Sequence, residues 1–256
     1  MATDYTYKEY ASSRNIYKSY SDYQKRYSEN IRESDKVLIK LVEQAVAQNQ
    51  QRPITLLDVG CSTGNLLFHI RNLIPELKLY GGDLMEPVIA ECQNNHNLEG
   101  IEFRVIDILN FNNGIKFDVI VINAVLFLFD SDLLEQSLAN ISQNLNEGGQ
   151  AIIFDFCHNF YEELKIIEKS SFHPDGLPLH FRSQETWNLA FKKCGFSQQH
   201  YFPFEIGIDL AKPEPVERNG ERVSDIGSYT VMTHDNHRLL FRGALFQPWT
   251  HIVAQK

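Results

Sequence analysis

The sequence predicts an α/β fold, a mainly parallel sheet with helices packed on both faces. Three observations predict it. Between residues 53 and 156, short apolar stretches alternate with amphipathic ones, the pattern that βαβ units produce. Two of the apolar stretches, 117–122 and 151–156, are nearly continuous in large hydrophobics, as strands covered on both sides must be. The first apolar stretch runs directly into a turn holding Gly60 and Gly64, and an amphipathic segment follows at once.

The elements follow in order. Residues 10–27 carry tyrosines at near-helical spacing, which predicts a helix with one aromatic face. Residues 36–47 read as a clearer amphipathic helix, and Pro53 marks entry to the first strand, 54–59. A helix over 65–73, a strand over 77–82 and a helix over 86–95 come next. Strands over 101–106 and 117–123 lead to a helix over 132–145, stopped by Gly148 and Gly149, and then to a strand over 150–156.

Beyond Phe156 the regularity weakens. Residues 161–168 read as a helix, and Ser183 as the N-cap of a helix over 186–193. Residues 201–208 read as a strand, 212–220 as an exposed loop, and 234–237 as a turn. The stretch 239–253 reads as a hairpin that turns near Gln247 and Pro248, with Trp249 and His251 on one face of its second strand. With no repeat and no long linker, the chain is expected to be one domain over 1–256: a helical lid over 1–50, a ligand-binding core over 53–156, and a substrate cap with closing strands over 157–256.

Composition narrows the class. A net charge of −9 repels phosphate backbones, so a small-molecule partner is favoured over nucleic acid. Cys61, Cys92, Cys157 and Cys194 lie far apart without a C-x-x-C, which argues against a disulfide framework or a zinc site and for a reducing, cytoplasmic setting. No apolar run approaches the roughly 20 residues that cross a bilayer, so no membrane role is expected.

The run from Asp58 to Gly64 is D-x-G-x-x-x-G rather than the G-x-G-x-x-G that cradles a pyrophosphate. Gly81, Gly82 and Asp83 then close the second strand, about 20 residues on, where α/β folds hold a ribose diol. Two vicinal hydroxyls can donate to one carboxylate, and an acid there also serves as a helix cap. Together these signals, over roughly residues 35–200, resemble the class I S-adenosylmethionine (SAM) dependent methyltransferases, small-molecule type.

The resemblance implies a Rossmann-like, mainly parallel seven-stranded sheet whose last strand is antiparallel. It implies SAM as cofactor and S-adenosylhomocysteine as product. Asp83 would hold the ribose, and Asp107 the adenine amine, with Ile108 on one side of the ring and Leu84 and Met85 on the other. Gly60 and Gly64 would admit the methionine part, with Cys61 filling the turn between them. Asp58 would face the cationic end, and the Asn123 carbonyl would receive the ammonium. Tyr20 is the lid tyrosine assigned to the ligand.

Catalytic assignments rest on less. Methyl transfer is an in-line displacement at carbon, so the protein supplies alignment, dehydration and sometimes a base. His158, three residues past Asp155, and His180 are the candidate bases. The apolar set after Asn123, Ala124 to Phe127, favours an oily or aromatic small acceptor, methylated on oxygen or nitrogen, such as a natural-product or peptide intermediate. An RNA or protein methyltransferase and a non-catalytic SAM-binding module are the rival readings. A nicotinamide enzyme is disfavoured by the missing glycine fingerprint.

Overall fold

A computed structural model describes residues 24, 27, 29–49, 53–112, 114–159, 163–168, 176–212, 216–218, 221–223, 228–233, 236–243 and 245–256. Tyr20 and most of the expected helix over 10–27 lie outside them. Helix α1 (Glu33–Gln48) precedes β1 (Thr55–Val59), α2 (Asn65–Leu73), β2 (Lys78–Asp83), α3 (Glu86–Gln93), β3 (Glu102–Val105) and β4 (Phe117–Asn123). Then come α4 (Ser131–Asn144), β5 (Leu145–His158), β6 (Leu164–Glu168), β7 (Leu177–Ser183), α5 (Gln184–Lys193) and β8 (Gln198–Pro203). The chain closes through β9 (Val216–Arg218), β10 (Glu221–Val223), β11 (Ser228–Met232), β12 (Arg238–Arg242), β13 (Leu245–Phe246) and β14 (Trp249–Gln255).

The main sheet runs β3-β2-β1-β4-β5-β14-β8. Its first five strands are parallel, and β14 runs antiparallel to both β5 and β8. Strand alternation sorts the core into two layers. Leu56, Val119, Val121, Ile152 and Phe154 pack against α1, α2 and α3. Leu57, Ile120, Ile122, Ile153 and Ile252 pack against α4 and α5. Successive residues on one strand feed opposite layers, which is why these strands read as unbroken apolar runs.

Several boundaries differ from expectation by a residue or more, each with a local cause. Helix α4 starts at Ser131 because Asp130 caps it, its Oδ1 accepting the Leu133 amide at 2.9 Å. Ser183 caps α5 as the sequence predicts, accepting the Thr186 amide at 3.1 Å. The expected helix over 161–168 is instead strand β6, antiparallel to β7, because Ile166 has the apolar Phe156–Phe181 cluster to pack against. The loop expected over 212–220 contains β9, paired with β10. The hairpin expected to turn near Gln247 and Pro248 does not form. β12 pairs with β13 across Gly243, and β14 leaves to join the main sheet. Among the described residues no helix is long and apolar enough to cross a membrane.

Candidate active site

The parallel strands all end at one edge of the sheet, and the loops there bring the acids together. β1 runs into a turn in which Gly60 and Gly64 hold φ of 80° and 75°, values that tax any side chain. At Gly60 a Cβ would also meet Val125 Cγ2 at 2.6 Å. The turn is tied to β2: the Gly60 and Cys61 amides donate to the Gly82 carbonyl at 2.7 and 3.0 Å, and the Ser62 amide donates to Asp83 Oδ2 at 3.0 Å. Asp83 Oδ1 accepts the Met85 amide, also at 3.0 Å. Burial raises the Asp83 carboxyl above its ordinary value, against the pull of the Met85, Ser62 and Leu84 amides. Two oxygens carry about four acceptor sites, so two amides leave capacity for a diol. Leu84 and Met85 are half-buried beside it.

Asp107 follows β3, next door to β2. Its Oδ1 accepts the Leu109 amide at 3.1 Å, and Ile108 is buried against the α4 layer. Cys61 is buried beside Cys92, and this partner and burial hold its thiol well above the ordinary range. That makes it a packing group rather than a nucleophile.

Asp58, on β1, is 2% exposed, and its Oδ1 has no hydrogen-bond partner among the described residues. Burial first, then the neighbouring Asp35 and Asp83, push its carboxyl up to about 8 against the pull of Arg32. Asn123 ends β4 on the same face. Its side-chain amide donates to Asp35 Oδ1 at 3.0 Å. Asp35 was invisible to the sequence reading, though a signal existed: it falls on the apolar stripe of α1 with Leu38, Ile39 and Val42.

Beyond Asn123 the wall is aromatic. Phe154 and Trp249 stack with centroids 4.7 Å apart, Phe156 lies 4.1 Å from Trp249, and Phe156 and Phe181 stack at 4.2 Å. Phe127 closes on both Phe156 and Trp249. The shared face expected for Trp249 and His251 is present, since both rings contact Phe154.

The two histidines sit differently from expectation. His158 is buried at the end of β5, with Nε2 3.4 Å from the Phe181 carbonyl. Asp155, an odd number of positions away, falls on the opposite face and does not orient it. Its Oδ1 accepts the Phe156 amide at 2.7 Å, and burial pushes it up to about 7 against the nearby Arg182. His180 alternates away from Phe181, beside Lys165, and burial with the Arg182 and Lys165 charges drives it down to about 4. The intervening Arg182 is itself buried. It donates to the carbonyls of Leu126, Phe129 and Asp130, and its guanidinium lies over the Trp187 ring.

A mainly parallel sheet with an antiparallel closing strand, a D-x-G-x-x-x-G turn and an acid closing the second strand give the chain the Rossmann-like fold of the class I methyltransferases. The chain belongs to the methyltransferase domain family, whose profile matches residues 51–201. It is 30% identical over 111 residues to a malonyl-[acyl-carrier protein] O-methyltransferase of Bacillus cereus, 43% of this chain and 40% of that protein. It is 24% identical over 161 residues to a tRNA N(3)-methylcytidine methyltransferase of Schizosaccharomyces pombe, 56% of this chain and 64% of that protein. The chain thus spans well under two thirds of the Bacillus relative. Human N-acetylserotonin methyltransferase, solved in complex with SAM, superposes with a TM-score of 0.61 at 12% identity, over 98% of this chain and 58% of that one.

Proposed function

We propose that this chain transfers a methyl group from SAM to an oxygen or nitrogen of a small molecule, with an apolar or aromatic acceptor favoured. The observation that carries the reading is the junction of Asp83 with the glycine turn, flanked by Asp107 and by Asp58 with its buried, unpartnered oxygen. This donor-poor, acceptor-rich rim suits a ligand with a sugar diol, an amino group and a positive charge.

The residues fit SAM, which supplies an electrophilic methyl on a good leaving group. Asp83 accepts from the ribose hydroxyls. Asp107 accepts from the adenine amine, with Ile108, Leu84 and Met85 against the ring. Asp58 and the Asn123 carbonyl face the ammonium and sulfonium, while Gly60, Cys61 and Gly64 leave room for the chain between. In this reading Tyr20 would serve the lid over 1–50, and 157–256 supplies the substrate cap together with the closing strands. The wall of Phe127, Phe154 and Trp249 excludes water and orients the acceptor. An amine or carboxylate needs no strong base. For a hydroxyl, His158, on the same face of β5 as Phe156, is the base in this reading, and His180 is the lesser candidate.

The test is a transfer screen with methyl-labelled SAM against small amines, phenols, carboxylic acids and RNA, with a check for co-purified S-adenosylhomocysteine. Label on a small molecule supports the proposal. Label on RNA alone rejects its acceptor class, and no binding of either SAM or its product rejects it whole.

A further inference from the structure

We infer that Asp35, carried by the first turn of α1, is a second carboxylate at the cationic end of the cofactor site, and that together with Asp58 it makes the site select the sulfonium over its neutral thioether product. The inference rests on the SAM reading above and adds a residue to it that no motif contains.

The geometry begins with two adjacent strands. Asp58 on β1 and Asn123 on β4 lie on one face, at the ends where the loops gather. The first turn of α1 is bolted above them at two points. Asn123 Nδ2 donates to Asp35 Oδ1 at 3.0 Å, and His251 Nε2 lies 3.0 Å from the Ser34 carbonyl, an acceptor, so Nε2 carries the hydrogen there. Asp35 and Asp58 are each 2% exposed. Asp35 has both oxygens engaged, the second by Arg32 Nε at 2.8 Å, while Asp58 Oδ1 has no hydrogen-bond partner among the described residues.

The charged and titratable groups around the pair come from four directions. Asp83 on β2 is a further acid that raises Asp58, and Arg32, at the N-cap just before α1, is the positive group that pulls against the cluster. Cys61 in the turn keeps its proton, and His251 on β14 is held neutral by burial, its value driven down to about 4. Three carboxylates thus face one guanidinium. A carboxyl buried among other acids ionises less readily, and Asp58 is the acid so raised. The value of about 8 at Asp58 is consistent with the proton resting mainly there.

Binding then balances simply. The Asp58 carboxylic acid and the cofactor, net charge +1, give the carboxylate with the bound cation, and the proton passes to buffer. Once the sulfonium has become a thioether, the ligand's net charge is zero and Asp58 takes a proton back. Product therefore binds the deprotonated site poorly, which favours its departure.

Calorimetry on the full chain at pH 7 tests this, with SAM and S-adenosylhomocysteine as probes in phosphate and in Tris, whose protonation enthalpies differ. Wild type should release on the order of one proton with SAM and less with the thioether. Asp35→Asn should reduce the release, with burial still holding part of it at Asp58, and weaken SAM on the order of tenfold, but the thioether less than about threefold. Arg32→Gln provides a second variant: removing the opposing cation should raise proton release and widen the preference for SAM. Equal proton counts for both ligands, or an equal loss of both in Asp35→Asn, would overturn the inference alone. A wild type that binds neither ligand removes the underlying reading and this inference with it.

Discussion

Asp83 Oδ2 accepts the Ser62 amide at 3.0 Å, so the acid that ends β2 also fixes the crest of the glycine turn after β1. One carboxylate thereby shapes the turn and faces the ligand. Asp83→Ala removes both functions at once. S-adenosylhomocysteine affinity should fall by more than about 1.5 kcal/mol, since charge-assisted hydrogen bonds are lost. Titration calorimetry measures it, and an unchanged affinity contradicts the ribose assignment.

Gly60 bears a second prediction. An L side chain at φ 80° costs about 1–2 kcal/mol, and the new methyl would also press on Val125 Cγ2 at 2.6 Å. Gly60→Ala should therefore destabilise the protein by about 2 kcal/mol or more. Adding Val125→Ala should recover the steric part and leave the backbone part. Urea unfolding of the single and double variants measures both. A Gly60→Ala chain as stable as wild type would show that the turn relaxes freely.

The features legible in the sequence are those encoded locally. The glycine turn, Asp83, Asp107 and the Ser183 cap each sit within a few residues of the pattern that announces them. Asp35, and the partners of Arg182 and His251, are hidden from a local reading because those partners are remote. Asp35 meets Asn123 across 88 positions, Arg182 meets Phe129 across 53, and His251 meets Ser34 across 217. Only the folded sheet makes these neighbours. The strand β6 was misread for a related reason. Its Leu-Lys-Ile-Ile-Glu run is ambiguous alone, and pairing with β7 decides it. His158 and Asp155 looked like a pair at three residues, a helical spacing applied to what is a strand.

Arg182 is the residue most expected to hold the acceptor end together. Its guanidinium is 1% exposed and donates to the carbonyls of Leu126, Phe129 and Asp130, closing the short turn that carries Phe127 into the aromatic wall. Arg182→Met keeps the stem and deletes the donors, leaving buried carbonyls unmatched. A loss of about 3 kcal/mol or more is expected, lowering Tm by about 6 °C or more in a chain of this size. Differential scanning calorimetry reads it. Arg182→Lys should recover only part, because an ammonium cannot span the same carbonyls. A Met variant within 1 °C of wild type would remove the structural role.

The pH dependence of stability carries two opposed signs. Asp58 is raised from an ordinary 3.8 to about 8, so between those values the folded chain holds a proton that the unfolded chain has lost. Its contribution is fully present below pH 3.8 and disappears as pH rises through 8. Asp155, raised to about 7, acts in the same direction. His251 is lowered from 6.5 to about 4, so the unfolded chain binds the extra proton, and stability is lost as pH falls through that window. His180, also lowered to about 4, adds to this with a weaker weight because it is only half-buried. Without ligand, the acids and histidines oppose one another between about pH 4 and 6.5, so Tm should be nearly level there and fall as pH rises from about 6.5 to 8.5, where only the acids still differ between the two states. Asp58→Asn should flatten the limb from pH 6 to 8.5. His251→Gln places an amide nitrogen where Nε2 reaches Ser34 and should unbalance the level stretch, so that Tm rises as pH falls from about 6 to 4.5. Thermal melts across that range decide the matter: an Asp58→Asn chain that loses Tm with rising pH as steeply as wild type would mean that Asp58 is already ionised in the empty site.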